Sequence, residues 1–321
     1  MLFKRVNNNL KYNKYWRKTG KIGYSIFRMI MLISIGYLVI YPVIIMITGS
    51  IKPVSAYLDK SIIYIPKEAT FEYYKTAVEA LDYFDSILST LIYGIVSAII
   101  EIAVCAFIAY GMARFDFKLK KVLNFMLVIL ILVPTQMVII PMMMNYSQVD
   151  IFGILGLINK LTGIDLRPNI LGTAWTFYLP SLFGVGLRAG MLIYIYMQFF
   201  KGLPYELEEA AWIDGAGLFK TFFCIAVPSS SVVFTTVSIF SVVWHWNEYF
   251  QPMMYLSSDF TLAVKIYDID NLLTAVGLYD GYPQYSTKKA AAFLFIVPML
   301  IVYLILQKKF VQSIDRVGIT G

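Results

Sequence analysis

The sequence holds a single histidine, two cysteines and few charges: 15% of its 321 residues are Asp, Glu, Lys or Arg. A soluble domain carries about 25%. One histidine excludes H-E-x-x-H, and no G-x-S-x-G is present. A membrane-embedded enzyme acting on lipid or glycan needs nucleophile, base or metal ligands at one depth, and no such cluster is seen. G-x-x-x-x-G-K-[ST] is also missing, so the chain has no phosphate loop of its own. Cys105 and Cys224 lie in apolar segments without metal-ligand spacing and read as packing residues. His245 has no metal-ligand company either.

What is abundant is apolar sequence, 59% of the chain. Roughly 20 consecutive apolar residues cross a bilayer. The net charge of +7 does not point to nucleic acid, because the basic residues lie beside hydrophobic runs, where they signal topology. Residues 1–24 hold seven Lys or Arg and no acid. Six spans are expected: Ile26–Thr48, Ile87–Ala113, Val122–Met144 interrupted by Pro134 and Pro141, Ser181–Phe200 after Pro180, Phe222 to Trp246, and Ala290 to Phe310. The first run is too long for a signal-peptide core and no small-x-small site follows it. The basic N-terminus, the 114–121 loop and the basic tail then share the cytoplasmic side, while 49–86, with six acids and four lysines, lies outside. This divides the chain into a basic cytoplasmic segment (1–24), a first helix with an outer loop (25–86), a core (87–310) and a cytoplasmic tail (311–321).

Loop 201–221 contains "ELEEAAWIDGAGLF", an acidic segment between two apolar runs. Pro204 suits a first helical turn, and Glu206, Glu208 and Glu209 follow near the positive end of the dipole. Gly215 ends the helix as a C-cap. Leu207, Ala210, Ala211 and Asp214 share one face, and a second helix runs from Leu218 into the fifth span. The residues alone leave two readings, a connector at the lipid interface or a docking handle. Three like charges and few apolar anchors make it a poor lipid binder.

The segment resembles the EAA loop of ABC-importer permeases, whose pattern is E-A-A, two residues, D-G-A, then Phe, Ile and Pro. Glu209, Ala210, Ala211, Asp214, Gly215, Ala216, Phe222, Ile225 and Pro228 stand in that register; Val232 departs from a further proline common in the family. "AYGMARFDFKLKK", "PTQMVIIPMM" and "WNEYFQPMMYL" are similar to the family's second-helix end, third helix and post-fifth-helix stretch. The end "KKAAAFLFIVPMLIVYLILQKKFVQSIDRVGITG" resembles the carbohydrate subgroup, the maltose-permease G-type subunits.

The resemblance implies an all-α integral membrane protein with six transmembrane helices, both termini cytoplasmic and the type I ABC importer permease fold, in a bacterial cell membrane. It implies one permease subunit of an ATP-driven, binding-protein-dependent importer of a sugar or oligosaccharide. ATP and Mg would sit on a cytoplasmic ATPase dimer. A second permease chain, usually a different one, and an extracytoplasmic solute-binding protein complete the assembly. Glu206, Glu208, Glu209, Ala210, Ala211, Asp214, Gly215 and Ala216 become the ATPase-coupling site, with Gly215 as the bend and the acids facing polar or basic groups of the ATPase. The same fold importing a peptide, polyamine or anion is the alternative.

Two ionisable residues lie deep in the spans. Glu101 and Arg188 each fall roughly 18–20 Å from the cytoplasmic edge. Charges at that depth face protein or water and often pair. A Glu101–Arg188 ion pair, contact of either with the solute path, and a pair that only fixes helix register are all expectations. Gly186 and Gly190 form a GxxxG spacing around Arg188. Trp246, Asn247 and Glu248 are candidates for solute or binding-protein contact at the outer mouth. The 257–289 loop is a candidate for binding-protein contact.

Overall fold

Helix is the regular structure throughout the described residues, which in this computed structural model are 2–59, 65–150 and 153–318. In hydrocarbon every backbone N–H and C=O must be satisfied internally, which an apolar chain achieves by coiling. The helices are α1 (Leu2–Ser50), α2 (Val54–Leu58), α3 (Glu72–Leu81), α4 (Tyr83–Arg114), α5 (Lys120–Leu132), α6 (Thr135–Ser147), α7 (Ile154–Thr162) and α8 (Trp175–Leu182). They continue with α9 (Ala189–Lys201), α10 (Glu206–Ile213), α11 (Leu218–Ser229), α12 (Ser231–Asn247), α13 (Phe250–Tyr255), α14 (Leu262–Tyr267), α15 (Ile269–Ala275) and α16 (Tyr282–Gly318).

Among the described residues, three helical stretches are long and apolar enough to cross a membrane: Lys21–Ser50, Tyr83–Arg114 and Tyr282–Ile305. Two bent pairs bring the number to five if each pair is one span. The third expected span is such a pair. Pro134 biases the preceding residue toward extended backbone, and α5 and α6 meet there at 104°. Pro141 and Pro298, in contrast, lie inside continuous helices. The fifth expected span is broken as well, with an 81° bend between α11 and α12 at Ser230.

The fourth span differs most from expectation. Helix α8 runs through Pro180 and stops at Leu182, where Gly184 takes φ 68°. The Val185 N–H bonds to Pro180 O at 2.9 Å and the Gly184 N–H to Ser181 O at 3.2 Å, a Schellman closure. Helix α9 restarts only at Ala189, so it is 13 residues long and about 20 Å. Gly186 lies in the break and Gly190 in the helix, so the GxxxG spacing is not one helical face. Gly190 still allows close packing: a Cβ there would come 3.1 Å from Leu130 Cγ on α5.

The chain forms two units, Met1–Tyr74 with Asp280–Phe293, and Lys75–Tyr279 with Leu294–Gly321. In the first, Gly49 lies against the Lys289 side chain. Ser50 Oγ and Tyr74 OH are 2.7 Å apart, Tyr57 OH and Ser286 Oγ 3.0 Å, and the Tyr57 and Tyr282 rings stack at 4.7 Å. Nearly every residue of α1 from Lys21 to Ile44 is exposed, although the stretch is apolar all round. In water that surface would be costly, so lipid or protein covers it.

In the second unit, α4 packs on α9. Cys105, Ala106, Ala109, Tyr110 and Ala113 of α4 share a buried cluster with Ala189, Leu192, Ile193, Tyr196 and Phe200 of α9. Small residues on α4 let the two backbones approach. Phe222 and Ala226 of α11 and Val233 and Val237 of α12 complete the cluster. Cys105 is therefore a packing residue, as expected; Cys224 is exposed.

Candidate functional site

Helix α10 is short, and its end is fixed by its sequence. Gly215 adopts φ 79°, a conformation that costs residues bearing a Cβ. The Ala216 N–H bonds to Ala211 O at 2.8 Å and the Gly215 N–H to Trp212 O at 3.0 Å. This second Schellman closure satisfies carbonyls that the helix end would otherwise orphan. A Cβ at Gly215 would meet no atom within 4 Å, so it is backbone conformation, not crowding, that calls for glycine. Helix α11 then starts at Leu218, which gives the expected helix–glycine–helix unit.

The expected handle residues divide into two sets. Glu206, Leu207, Glu209, Ala210, Asp214 and Gly215 are exposed, Ala216 is half-buried, and Ile213 is 86% exposed. Glu208 and Ala211, one turn apart, are buried instead. Glu208 is thus not available to an outside partner in this conformation. Its Oε1 accepts a bond from Arg114 Nε at 2.9 Å, and both side chains are almost wholly buried. Arg114 Nη2 also donates to Leu203 O at 3.0 Å and to Pro204 O at 3.4 Å. The guanidinium lies 4.1 Å from the Tyr205 ring centroid. Arg114 ends α4 and Glu208 sits in the first turn of α10, so each charge also opposes its own helix dipole. One guanidinium therefore holds the start of α10 to the C-terminal end of α4.

Glu101 and Arg188 are not brought together as an ion pair. Glu101, fully buried on α4, has His245 as its neighbour, with Nε2 3.6 Å from Oε2. The other ring nitrogen, Nδ1, is 2.9 Å from Ser241 O; donating there, it leaves the Nε2 lone pair directed at the carboxyl group. A Cβ on Gly186 would lie 2.6 Å from Glu101 Oε1, so glycine is what admits the carboxyl group. Arg188 is exposed, precedes α9 with φ 57°, and stacks 4.9 Å from the Trp244 ring. The break at 183–188 explains the difference. It removes Arg188 from the helical register from which its position was inferred.

The outer-mouth candidates also separate. Trp246 is 4% exposed, its Nε1 donates to Phe295 O at 3.3 Å, and its ring packs on Phe295, so it is a packing residue. Asn247 is exposed and donates to Val243 O at 2.7 Å, closing α12. Glu248 Oε1 accepts the N–H groups of Phe250 and Gln251 at 3.0 and 2.9 Å, which starts α13. Glu248 also lines a small cavity of about 60 Å³ together with His245 and Gln251. Among the described residues no group of three or more His, Cys, Asp or Glu could hold a metal ion.

Residues 102–316, about two thirds of the chain, match the profile of the family described as "Binding-protein-dependent transport system inner membrane component". The chain belongs to this family. It is a permease subunit of the inner membrane, not an enzyme, and the ATPase of such systems is a separate subunit. It is 27% identical over 316 residues to an osmoprotective compounds uptake permease of Synechocystis, covering 97% of this chain and 95% of that one. It is 25% identical over 297 residues to an arabinooligosaccharides transport system permease of Bacillus subtilis, covering 91% and 93%. The fold matches a chain of a crystal structure of a bacterial ABC transporter that imports the acidic polysaccharide alginate. The TM-score is 0.68 at 19% identity, covering 89% of this chain and 96% of that one.

For this permease subunit, the resemblance inferred from the EAA segment and its companion motifs agrees with the family match. Two features escaped sequence reasoning. Arg114 lay within a recognised motif, yet nothing in the linear order paired it with a residue 94 positions away. The Glu101–His245 contact had one signal: a lone histidine in an otherwise apolar span is a natural neighbour for a buried acid.

Proposed function

We propose that this permease subunit is one half of the membrane pathway of an ATP-driven importer for a sugar or oligosaccharide. An extracytoplasmic binding protein supplies the solute, a second and different permease chain completes the pathway, and ATP with Mg is bound by a pair of cytoplasmic ATPase subunits. Six membrane crossings with both termini inside follow from this reading, with α8 and α9 together forming the fourth. The single observation that supports it most is the exposed end of α10, glycine-bent and anchored by Arg114 to α4. Force applied to Glu209, Ala210, Asp214 and Gly215 reaches the core through that anchor. Buried partners respond as a unit because packed interiors deform little. The carbohydrate assignment draws on the G-type tail and on the arabinooligosaccharide relative.

The test begins with an Ile213→Cys variant, which places a thiol on the most exposed part of α10. A bifunctional crosslinker should join it to a nucleotide-hydrolysing subunit that co-purifies with the chain. Uptake into inverted-topology-controlled vesicles is then measured for maltose, melibiose, arabinobiose and glycerol 3-phosphate. Crosslinks only to extracellular reagents, or ATP-driven uptake of the phosphate ester alone, would sink the proposal.

A further inference from the structure

A proline inside a helix removes one hydrogen bond, and its ring crowds the carbonyl four residues back. In α16 the proline is Pro298 and the carbonyl is that of Leu294. The Leu294 oxygen is nevertheless paired, because the Tyr83 hydroxyl of α4 donates to it at 2.8 Å. One residue on, Trp246 Nε1 of α12 donates to Phe295 O at 3.3 Å, and the Trp246 and Phe295 rings lie 5.8 Å apart. Side chains from two helices thus meet α16 at the turn that Pro298 opens. All of these residues belong to the second unit.

Tyr83 is buried and is the first residue of α4. Its direction is set by the residue before it. Asp82 takes φ 42°, a left-handed conformation uncommon outside glycine. The Lys265 ammonium of α14 bonds the Asp82 carboxylate at 2.8 Å, and Ser86 Oγ donates to Leu81 O at 2.7 Å. These bonds fix the sharp turn from α3 into α4, and with it the place of the Tyr83 ring. Backbone of this kind persists where the surroundings over-determine it.

Prolines are where helices bend, and in hydrocarbon the freed carbonyl needs a donor from a neighbouring helix. Helix α4 has 32 residues and is about 48 Å long. At one end Arg114 holds α10; at the other Tyr83 holds the Pro298 turn of α16. We infer that Tyr83 is a positioning residue for transport. It ties the proline joint of α16 to α4, so that a displacement taken up at α10 carries α16 with it instead of being lost in a bend at Pro298. The transport role rests on the importer reading above, whereas the joint stands on the hydrogen-bond geometry alone.

The test is a double-mutant cycle in the assembled transporter. Tyr83→Phe keeps the ring and deletes the donor. Pro298→Ala returns an N–H to α16, which then supplies Leu294 O from within the helix. In denaturant titration Tyr83→Phe should raise the unfolding constant roughly three- to fifteen-fold, the range for one hydrogen bond between membrane helices. In the Pro298→Ala background the same change should be about two-fold or less. Nitroxides on Leu88→Cys and Ile301→Cys, both exposed, in a Cys224→Ser background report the spread of distances between α4 and α16 by dipolar EPR. Tyr83→Phe should broaden that spread and lower the solute imported per ATP, and adding Pro298→Ala should restore both. If Pro298→Ala does not reach the membrane, Pro298→Leu supplies the same N–H. An equal loss from Tyr83→Phe in both backgrounds, or an unchanged distance spread, overturns the joint and leaves the importer reading standing. The expected cycle with import per ATP untouched overturns the transport role. The expected cycle in an unmodified assembly that shows no ATP-driven import overturns the importer reading and, with it, the transport role.

Discussion

Replacing Arg114 with methionine removes one charge from a pair whose side chains are 1% and 2% exposed. The lost interactions are the bond to Glu208, two bonds to the carbonyls of Leu203 and Pro204, and the stack on Tyr205. What remains is a buried carboxylate that has lost its cation. Breaking a buried pair this way costs about 3–5 kcal/mol. Glu208→Gln should cost less, about 2–3 kcal/mol, because Arg114 keeps both carbonyls and the tyrosine face to share its charge. The double variant Arg114→Met/Glu208→Leu should recover most of the loss, since an apolar pair of similar volume is often neutral. Stability of the purified complex is followed by denaturant titration in detergent, and coupling by solute imported per ATP hydrolysed. The singles should also reduce that ratio, because the α10 anchor is loosened while its exposed contact surface is intact. Single-variant costs below about 1 kcal/mol, or a double variant equal to the sum of the singles, would refute the argument that the pair is a buried, mutually dependent unit.

Further expectations concern positions around this anchor. Gly215→Val places a β-branched residue at φ 79°, at a cost of about 1–2 kcal/mol; the protein should reach the membrane but hydrolysis should uncouple from uptake, whereas normal uptake would count against the coupling role. Gly186→Ala drives a methyl to 2.6 Å from Glu101 Oε1, so thermal stability should fall by about 1–3 kcal/mol, and an unchanged melting profile would disprove that contact. Phe200→Ala empties a fully buried ring site between α4 and α9 and should cost about 3–5 kcal/mol in the same denaturant titration. In the loop after α7, hydrogen bonds from Arg167 hold the Asp165 carboxyl down at about 2. That ion pair should persist through the ordinary carboxylate range and be lost only as pH falls toward 2, and Arg167→Ala should return the Asp165 titration, read by NMR, to the usual range.

The helical class and the end of α10 were legible in the residues because both are local. Apolar length forces helix in hydrocarbon, and a glycine after a helical run closes it whatever surrounds it. The fourth span was misjudged for a similar reason. Pro180 looked like the break, but it lies inside α8 as the sixth of its eight residues, and it was Gly184 that ended the helix. Once the restart moved to Ala189, Arg188 lost the helical register that had set it opposite Glu101.

The linear order decided where helices form and which short segment reaches out from the membrane, since both depend on neighbours a few residues apart. The partners of the buried charges were decided by packing. Arg114 found Glu208, and Glu101 found His245, because two helix ends and one backbone break converged in space. Electrostatic partnership depends on distance through the fold, and residues 94 and 144 positions apart carry no mark of it in their local sequence.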